Sequence, residues 1–316
     1  MDKDRVYDAQ ACYARYLKDV EEDNQADKVS SVLIPDDMVS FLRAGERSVQ
    51  AAKQGVSYVA EKGSDLLGVN EEWLYYDLNE VKLLPPLQPQ TVMCAGPNVE
   101  DPADPLLMRH IEFFLKSSHT IVGPNQEIII DTEISDKYDV QVELGVVIGK
   151  PGRYIPEDQV MDHIFGFTIV HNVINRARMQ VGWEGWMWHN RYGEGASFDN
   201  SAPIGPWIVE KNDIPDPENV ELKKYINDEL VETHNTRDLL RSVKQFVSYC
   251  SNFFTLEPGL FISTGSPGGW VLGRDGQGNP LLKPGKHPDR FLKEGDRVKG
   301  VISGIGSLEN PVKTRS

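Results

Sequence analysis

The chain has 316 residues, 40% of them hydrophobic and 26% charged, a globular composition long enough for one large domain with a smaller appendage. Its net charge of −15 and pI near 4.9 argue against nucleic acid and against an anionic membrane surface, both of which call for a basic face. No apolar run approaches the about 20 residues that span a bilayer, "MDKDRVYDAQ" is not a signal peptide, and Cys12, Cys94 and Cys250 form no C-x-x-C motif, so a cytoplasmic protein with reduced core thiols is expected.

The first eighty or so residues read as helical. "RVYDAQACYARYLKDV" and "SVQAAKQGVSYVAEKG" carry apolar residues at helical spacing. Between them, "IPDDMVSFLRAGE" offers a helix start at its Pro-Asp pair and a stop at Gly45. "VKLLPPLQPQ" breaks the pattern with three prolines and reads as a linker, or as a strand edge entering a second unit.

From Thr91 the texture changes to short strands separated by Gly, Pro, Asn and Asp. "TVMCAGPN", "EFFLKSS", "EIIIDTE", "DVQVELGVVIGK", "IFGFTIVHNVI", "PIGPWIVE", "LKKYINDELV", "GLFISTGSP" and "DRVKGVISGIGSL" are all strand-like. The Asn-Asp inside "YINDELVE" suits a tight turn. "TRDLLRSVKQFVSYCSNFF" is the exception: Leu239, Val243, Phe246, Val247, Cys250 and Phe253 form a helical stripe. Many strands with few helices predict an α+β, β-rich mixed fold rather than an alternating βαβ array.

One strand carries a chemical signal. In "YDVQVELGVVIG", Tyr138, Val140, Val142, Leu144, Val146 and Ile148 fall on one parity, and Asp139, Gln141 and Glu143 on the other. Alternate side chains on a strand point to opposite faces, so a polar row backs a hydrophobic stripe. The glycine-rich "GSPGG" and "GRDGQGNP" match neither a P-loop nor a dinucleotide fingerprint, so no nucleotide cofactor is expected. Thr264, with the amides of Gly265 and Ser266, could still hold a carboxylate in a backbone nest. His171 stands at a strand end. His189 and Trp186 belong to the Trp-dense "GWEGWMWHNRYGEG", either a packed loop or an aromatic wall over a flat substrate. Lys116 ends the apolar run "FFLK", either as a solvated end or as the positive group an acid substrate needs.

The ordered blocks "VMCAGPN", "FFLKSSHTIVGP", "YDVQVELGVVIGK", "GFTIVHNVINR", "SFDNSAPIGPWIV", "ISTGSPGG" and "LKEGDRVKGVISGIGSLENPV" resemble the fumarylacetoacetate hydrolase superfamily. The resemblance covers about Thr91 to the C-terminus. It implies a mixed-sheet fold rolled around one active site (residues 86–316) behind a small helical N-terminal domain (residues 1–85). It also implies a homodimer, a bound Mg²⁺ or Mn²⁺, and a small anionic 2-oxo or 1,3-dicarbonyl substrate. Such enzymes, hydrolases and lyases among them, act by C–C hydrolysis, decarboxylation, hydration or keto–enol tautomerisation.

At the ligand positions the chain departs from the family pattern. The family's E-x-E corresponds to Gln141 and Glu143, and its third metal ligand, an Asp, to Asn172. The family Lys before "SFD" is Ala196, and the family's lid His falls at Pro102; Lys116, Arg176 and Thr264 match. One carboxylate and two amides bind a hard cation more weakly than three carboxylates, so metal dependence is expected to be weakened or lost. Three arrangements follow. An anionic substrate could occupy the metal position, bonded by the amide NH₂ groups of Gln141 and Asn172. His171 could rotate in beside Glu143 to recruit a softer metal. Or the original cation could still bind. In an active enzyme Glu143 is the base or remaining ligand, and Lys116 and Arg176 steady an enolate or carboxylate. Gln141, Asn172, His171, Thr264, Gly265, Trp186 and His189 contact the substrate. The alternative is a non-catalytic binding protein or partner subunit that kept the fold.

Overall fold

The computed structural model describes residues 4–63, 66–96, 98–99, 111–182, 188–268 and 290–315, with backbone only for 180–182 and 188–190. The chain divides into two compact units, Met1–Leu83 and Leu84–Ser316.

The smaller unit pairs strand β1 (Arg5–Tyr7) with β2 (Tyr75–Asp77) and carries helices α1 (Ala9–Val20), α2 (Ala26–Leu33), α3 (Met38–Ala44) and α4 (Glu46–Lys62). Asp8 caps α1 by accepting the Ala11 amide at 2.9 Å, and Asp37 caps α3 by accepting the Ser40 amide at 2.9 Å. Gly45 ends α3 as the sequence suggests, with φ +78. α1 and α4 cross closely because Gly55 has no side chain; a Cβ there would lie 2.5 Å from the Tyr13 nitrogen. Arg5–Tyr7, expected at a helix start, is a strand instead.

The larger unit holds strands β3 (Val92–Ala95), β4 (Phe113–Lys116), β5 (Ile121–Val122), β6 (Ile128–Ile130), β7 (Tyr138–Ile148), β8 (Ile164–Asn175), β9 (Gln180–Gly182), β10 (Trp188–Asn190), β11 (Ala202–Glu210), β12 (Glu221–Ile226), β13 (Glu229–Asn235), β14 (Phe261–Ser263), β15 (Arg297–Ile302) and β16 (Gly306–Thr314). A mixed seven-stranded sheet runs β4-β3-β14-β7-β8-β11-β5, and a five-stranded one runs β13-β12-β15-β16-β6. The β12–β13 hairpin turns at Asn227 and Asp228, both at positive φ (53 and 66), the geometry its Asn-Asp pair predicts. The short helices α5 (Val160–His163), α6 (Arg176–Met179) and α7 (Tyr192–Ala196) punctuate the strands. α8 (Val243–Ser251) starts later than its apolar stripe implies: Ser242 and Gln245 form a capping box, which leaves Leu239 outside the helix.

The apolar parity of β7 faces the second sheet. Val142, Leu144, Val146 and Ile148 share a core with Phe167 and Ile169 of β8, Leu222 of β12, Ile302 of β15 and Leu308 of β16. Together these elements form an α+β, mixed-sheet architecture. Cys12, Cys94 and Cys250 are buried free thiols, and desolvation pushes each up to about 12. No helix among the described residues is long and apolar enough to cross a membrane.

Candidate active site

β7 is buried along its whole length, so its polar parity is as enclosed as its apolar one. The β7–β8 register sets Gln141 opposite Asn172, Glu143 opposite Val170 and Asp139 opposite Ile174. Residues directly opposite in an antiparallel pair share a face. Asp139, Gln141, Glu143 and Asn172 therefore form one buried patch, each about 2% exposed.

Glu143 is the fixed point of the patch. Its Oε1 accepts the Asn172 Nδ2 at 2.9 Å, and its Oε2 accepts the Gly265 amide at 3.0 Å together with the Ser263 hydroxyl. Burial raises its pKa above the ordinary carboxylate value, and these three donors, together with the charge of Lys116, oppose the rise. Gly265 reaches the carboxylate because the chain turns there at φ +82; an added Cβ would lie 2.9 Å from Asn98 Cβ. Asn98 holds that turn by donating to the Thr264 carbonyl at 2.9 Å and to the Arg241 carbonyl at 3.0 Å.

At the other end of the row, Asp139 Oδ2 accepts from Arg176 Nη2 at 2.5 Å and Nε at 3.1 Å, and from Gln141 Nε2 at 2.8 Å. Both amide NH₂ groups are thus committed to carboxylates of the protein. What they leave is two oxygens: Gln141 Oε1 and Asn172 Oδ1 are buried without a hydrogen-bond donor. Flipping either amide would set its oxygen against a carboxylate, so the network fixes the orientation. Thr264 Oγ1 is likewise buried and unpartnered.

Lys116 is buried beside this patch. Its ammonium donates to the Ser201 carbonyl at 2.9 Å, the Ser201 hydroxyl at 3.3 Å and the Val173 carbonyl at 3.3 Å. Desolvation lowers its pKa to about 8, while the charges of Cys94 and Glu143 oppose that shift. With three acceptors for three protons, it acts as a fixed positive charge behind the site.

Several expectations are corrected by this geometry. The expected anion on the amide NH₂ groups meets competition, because each NH₂ already donates to a protein carboxylate and the amide oxygens are the atoms left without partners. His171 lies opposite Val142 on the other face of the sheet, where a Cβ on Gly300 would meet its Nε2 at 2.7 Å. It therefore cannot join Glu143 at a metal or touch a substrate on the polar face. Arg176 is engaged by Asp139 and orients that carboxylate. The Gly265 amide does hold a carboxylate, but the carboxylate is Glu143 itself. Trp186 lies outside the described residues, as does the side chain of His189, whose backbone belongs to β10.

Sequence reasoning put Asp139 on the polar row without giving it a role, and passed over Ser263, Ser201 and Asn98. Asp139 was legible: it shares the parity of Gln141 and stands two residues away. The other three are distant in sequence and offered no periodic signal.

The donor set fits a hard cation in kind. Such ions take oxygen ligands, and Glu143, Gln141 and Asn172 present oxygens, two of them without any other partner. The set is poor in charge, with one carboxylate among three. Among the described residues no group of three or more His, Cys, Asp or Glu side chains could hold a metal ion.

The family model for the fumarylacetoacetate (FAA) hydrolase C-terminal region matches residues 91–313. "Oxaloacetate tautomerase YisK" of Bacillus subtilis (strain 168) is 30% identical over 286 residues, covering 88% of this chain and 87% of that protein. The crystal structure of 2-hydroxyhepta-2,4-diene-1,7-dioate isomerase from Mycobacterium marinum superposes with a TM-score of 0.60 at 30% identity, covering 77% of this chain and 81% of that one. Maleylpyruvate hydrolase from Sphingobium sp. SYK-6, in complex with manganese(II) ion and pyruvate, shares the fold at a TM-score of 0.68 and 19% identity, covering 100% of this chain and 95% of that one. The chain belongs to the fumarylacetoacetate hydrolase family.

Proposed function

We propose that the protein interconverts the keto and enol forms of a small 2-oxo acid of the oxaloacetate class. The reaction moves one proton between the carbon beside the carbonyl and the carbonyl oxygen, and no bond between heavy atoms changes. It asks for one group that can take and return a proton, and for positive charge near the enolate oxygen. Glu143 carries this reading. It is a buried carboxylate whose pKa burial raises, held in one orientation by Asn172, Ser263 and Gly265. The other carboxylate of the row, Asp139, is committed to Arg176 and Gln141.

Lys116 supplies positive charge from behind the patch without leaving its three acceptors. A divalent cation, when bound to the Gln141 and Asn172 oxygens beside Glu143, would add positive charge that favours the enolate. Carbon–carbon hydrolysis needs more, namely an activated water and an acid for the departing carbon. Kinship with an oxaloacetate tautomerase and with a dioate isomerase supports proton transfer over bond cleavage. The test follows the ultraviolet absorbance of enol-oxaloacetate. The protein should speed its loss over buffer, and Glu143→Gln should lower that rate by about 10²-fold or more. A wild-type rate equal to buffer would favour the non-catalytic binding protein.

A further inference from the structure

The polar patch has an unusual charge balance for a site built of oxygen acceptors. Among the described residues, the buried ionic groups around it are Asp139 and Glu143 against Lys116 and Arg176, two carboxylates and two cations. Gln141 and Asn172 contribute acceptor oxygens and no charge. A divalent ion placed on those oxygens would bring charge that neither amide offsets, and burial makes uncompensated charge costly. Yet Gln141 Oε1 and Asn172 Oδ1 are nine-tenths buried, stand opposite one another on one face, and lack donors. Their NH₂ groups donate to Asp139 and Glu143, so flipping either amide would forfeit a hydrogen bond to a carboxylate.

We infer that Gln141 and Asn172 make divalent-cation binding conditional on an anionic 2-oxo acid, the two ligands entering as a pair. The acid's carboxylate supplies negative charge that this chain's ligand residues omit, and its carbonyl oxygen completes the chelate. The orphaned amide oxygens give the cation its remaining contacts on the protein. This inference rests on the proposed substrate class. Because coupling between two bound ligands is reciprocal, the acid should also bind weakly without the metal.

The experiment uses the full chain, Mn²⁺ and pyruvate, a monoanionic 2-oxo acid that chelates metal weakly in water. Free Mn²⁺ is read from its electron paramagnetic resonance signal during titration, with and without saturating pyruvate. Pyruvate is expected to tighten Mn²⁺ binding by about tenfold or more, and Mn²⁺ to tighten pyruvate binding by the same factor. In Gln141→Glu with Asn172→Asp, Mn²⁺ should bind tightly alone, and the enhancement by pyruvate should shrink. Should the double variant fail to fold, the wild-type titrations and Asn172→Asp alone decide the matter. Equal Mn²⁺ affinity with and without pyruvate would overturn the inference, and so would no Mn²⁺ binding in either condition. A coupled pair without enol turnover would instead sink the tautomerase reading and leave this inference standing. Turnover in EDTA without coupling would do the reverse.

Discussion

The Asn172 amide nitrogen lies 2.9 Å from Glu143 Oε1 across the β7–β8 pair, and that contact sets the polarity of the site. It spends the amide's donor on the protein's own carboxylate and leaves the amide oxygen for a ligand. The Gln141–Asp139 contact at 2.8 Å does the same two residues along the strand. Two residues that could have recognised an anion are thereby turned into acceptors.

Asn172→Asp should therefore change stability in a metal-dependent way. The substitution removes a donor to Glu143 and sets a second carboxylate beside it in a buried patch. Without divalent cation the variant should lose about 1–3 kcal/mol near neutral pH. Added Mn²⁺ should recover stability by mass action, more than it does for the wild type. Thermal unfolding in EDTA and in Mn²⁺ reads both effects.

Arg176→Ala should be among the most damaging substitutions in this region. It strands Asp139, 2% exposed, without its guanidinium partner, at a cost of about 3–5 kcal/mol. Adding Asp139→Asn should restore part of the loss, since an amide can sit buried where an unpaired carboxylate cannot. Urea unfolding of the two single variants and the double variant gives the coupling. A double variant as damaged as the sum of the singles would show the pair to be unimportant.

Gly265→Ala tests the turn that delivers an amide to Glu143. The position has φ +82, and the new methyl would lie 2.9 Å from Asn98 Cβ and 3.1 Å from Ala95 Cβ. Strain and displacement should together cost about 1–3 kcal/mol. Enol turnover should fall by more than the unfolded fraction explains, because the 3.0 Å contact to Glu143 Oε2 moves with the turn.

His171 should govern acid sensitivity without touching the reaction. It is fully buried, and desolvation lowers its pKa from 6.5 to about 3; the charge of Lys224 acts in the same direction and Asn310 opposes it. The folded state thus binds this proton only below about pH 3, while the unfolded chain binds it below about 6.5. Stability from this group is full above pH 6.5 and is lost as pH falls toward 3, with a slope of up to about 1.4 kcal/mol per pH unit. In His171→Leu the acid limb should be shallower by one proton, as measured by chemical unfolding from pH 4 to 7.

Most strands of the larger unit were legible because each is a short apolar or alternating run bounded by Gly, Pro or Asn, whereas β5, β9 and β10, two or three residues each, carry no such run. The β12–β13 turn was legible because Asn-Asp tolerates the positive φ it adopts. α8 was misjudged at its start because the apolar stripe continues through Leu239, while the capping box at Ser242 fixes the boundary. In the site, the parity of Asp139, Gln141 and Glu143 could be read from β7 alone. Which neighbour each amide would use could not. That depends on the register placing Asn172 opposite Gln141 and on a turn at Gly265 more than a hundred residues away. The same register sends His171 to the far face, although it adjoins Asn172 in sequence.

The most direct measurement is deuterium exchange at the carbon beside the carbonyl of oxaloacetate and pyruvate in D₂O, followed by proton NMR. Wild-type protein should accelerate loss of the C–H signal over buffer, and Glu143→Gln, at equal folded concentration, should lose about 10²-fold or more of that acceleration. Exchange by Glu143→Gln as fast as by the wild type would contradict the assignment of proton transfer to Glu143.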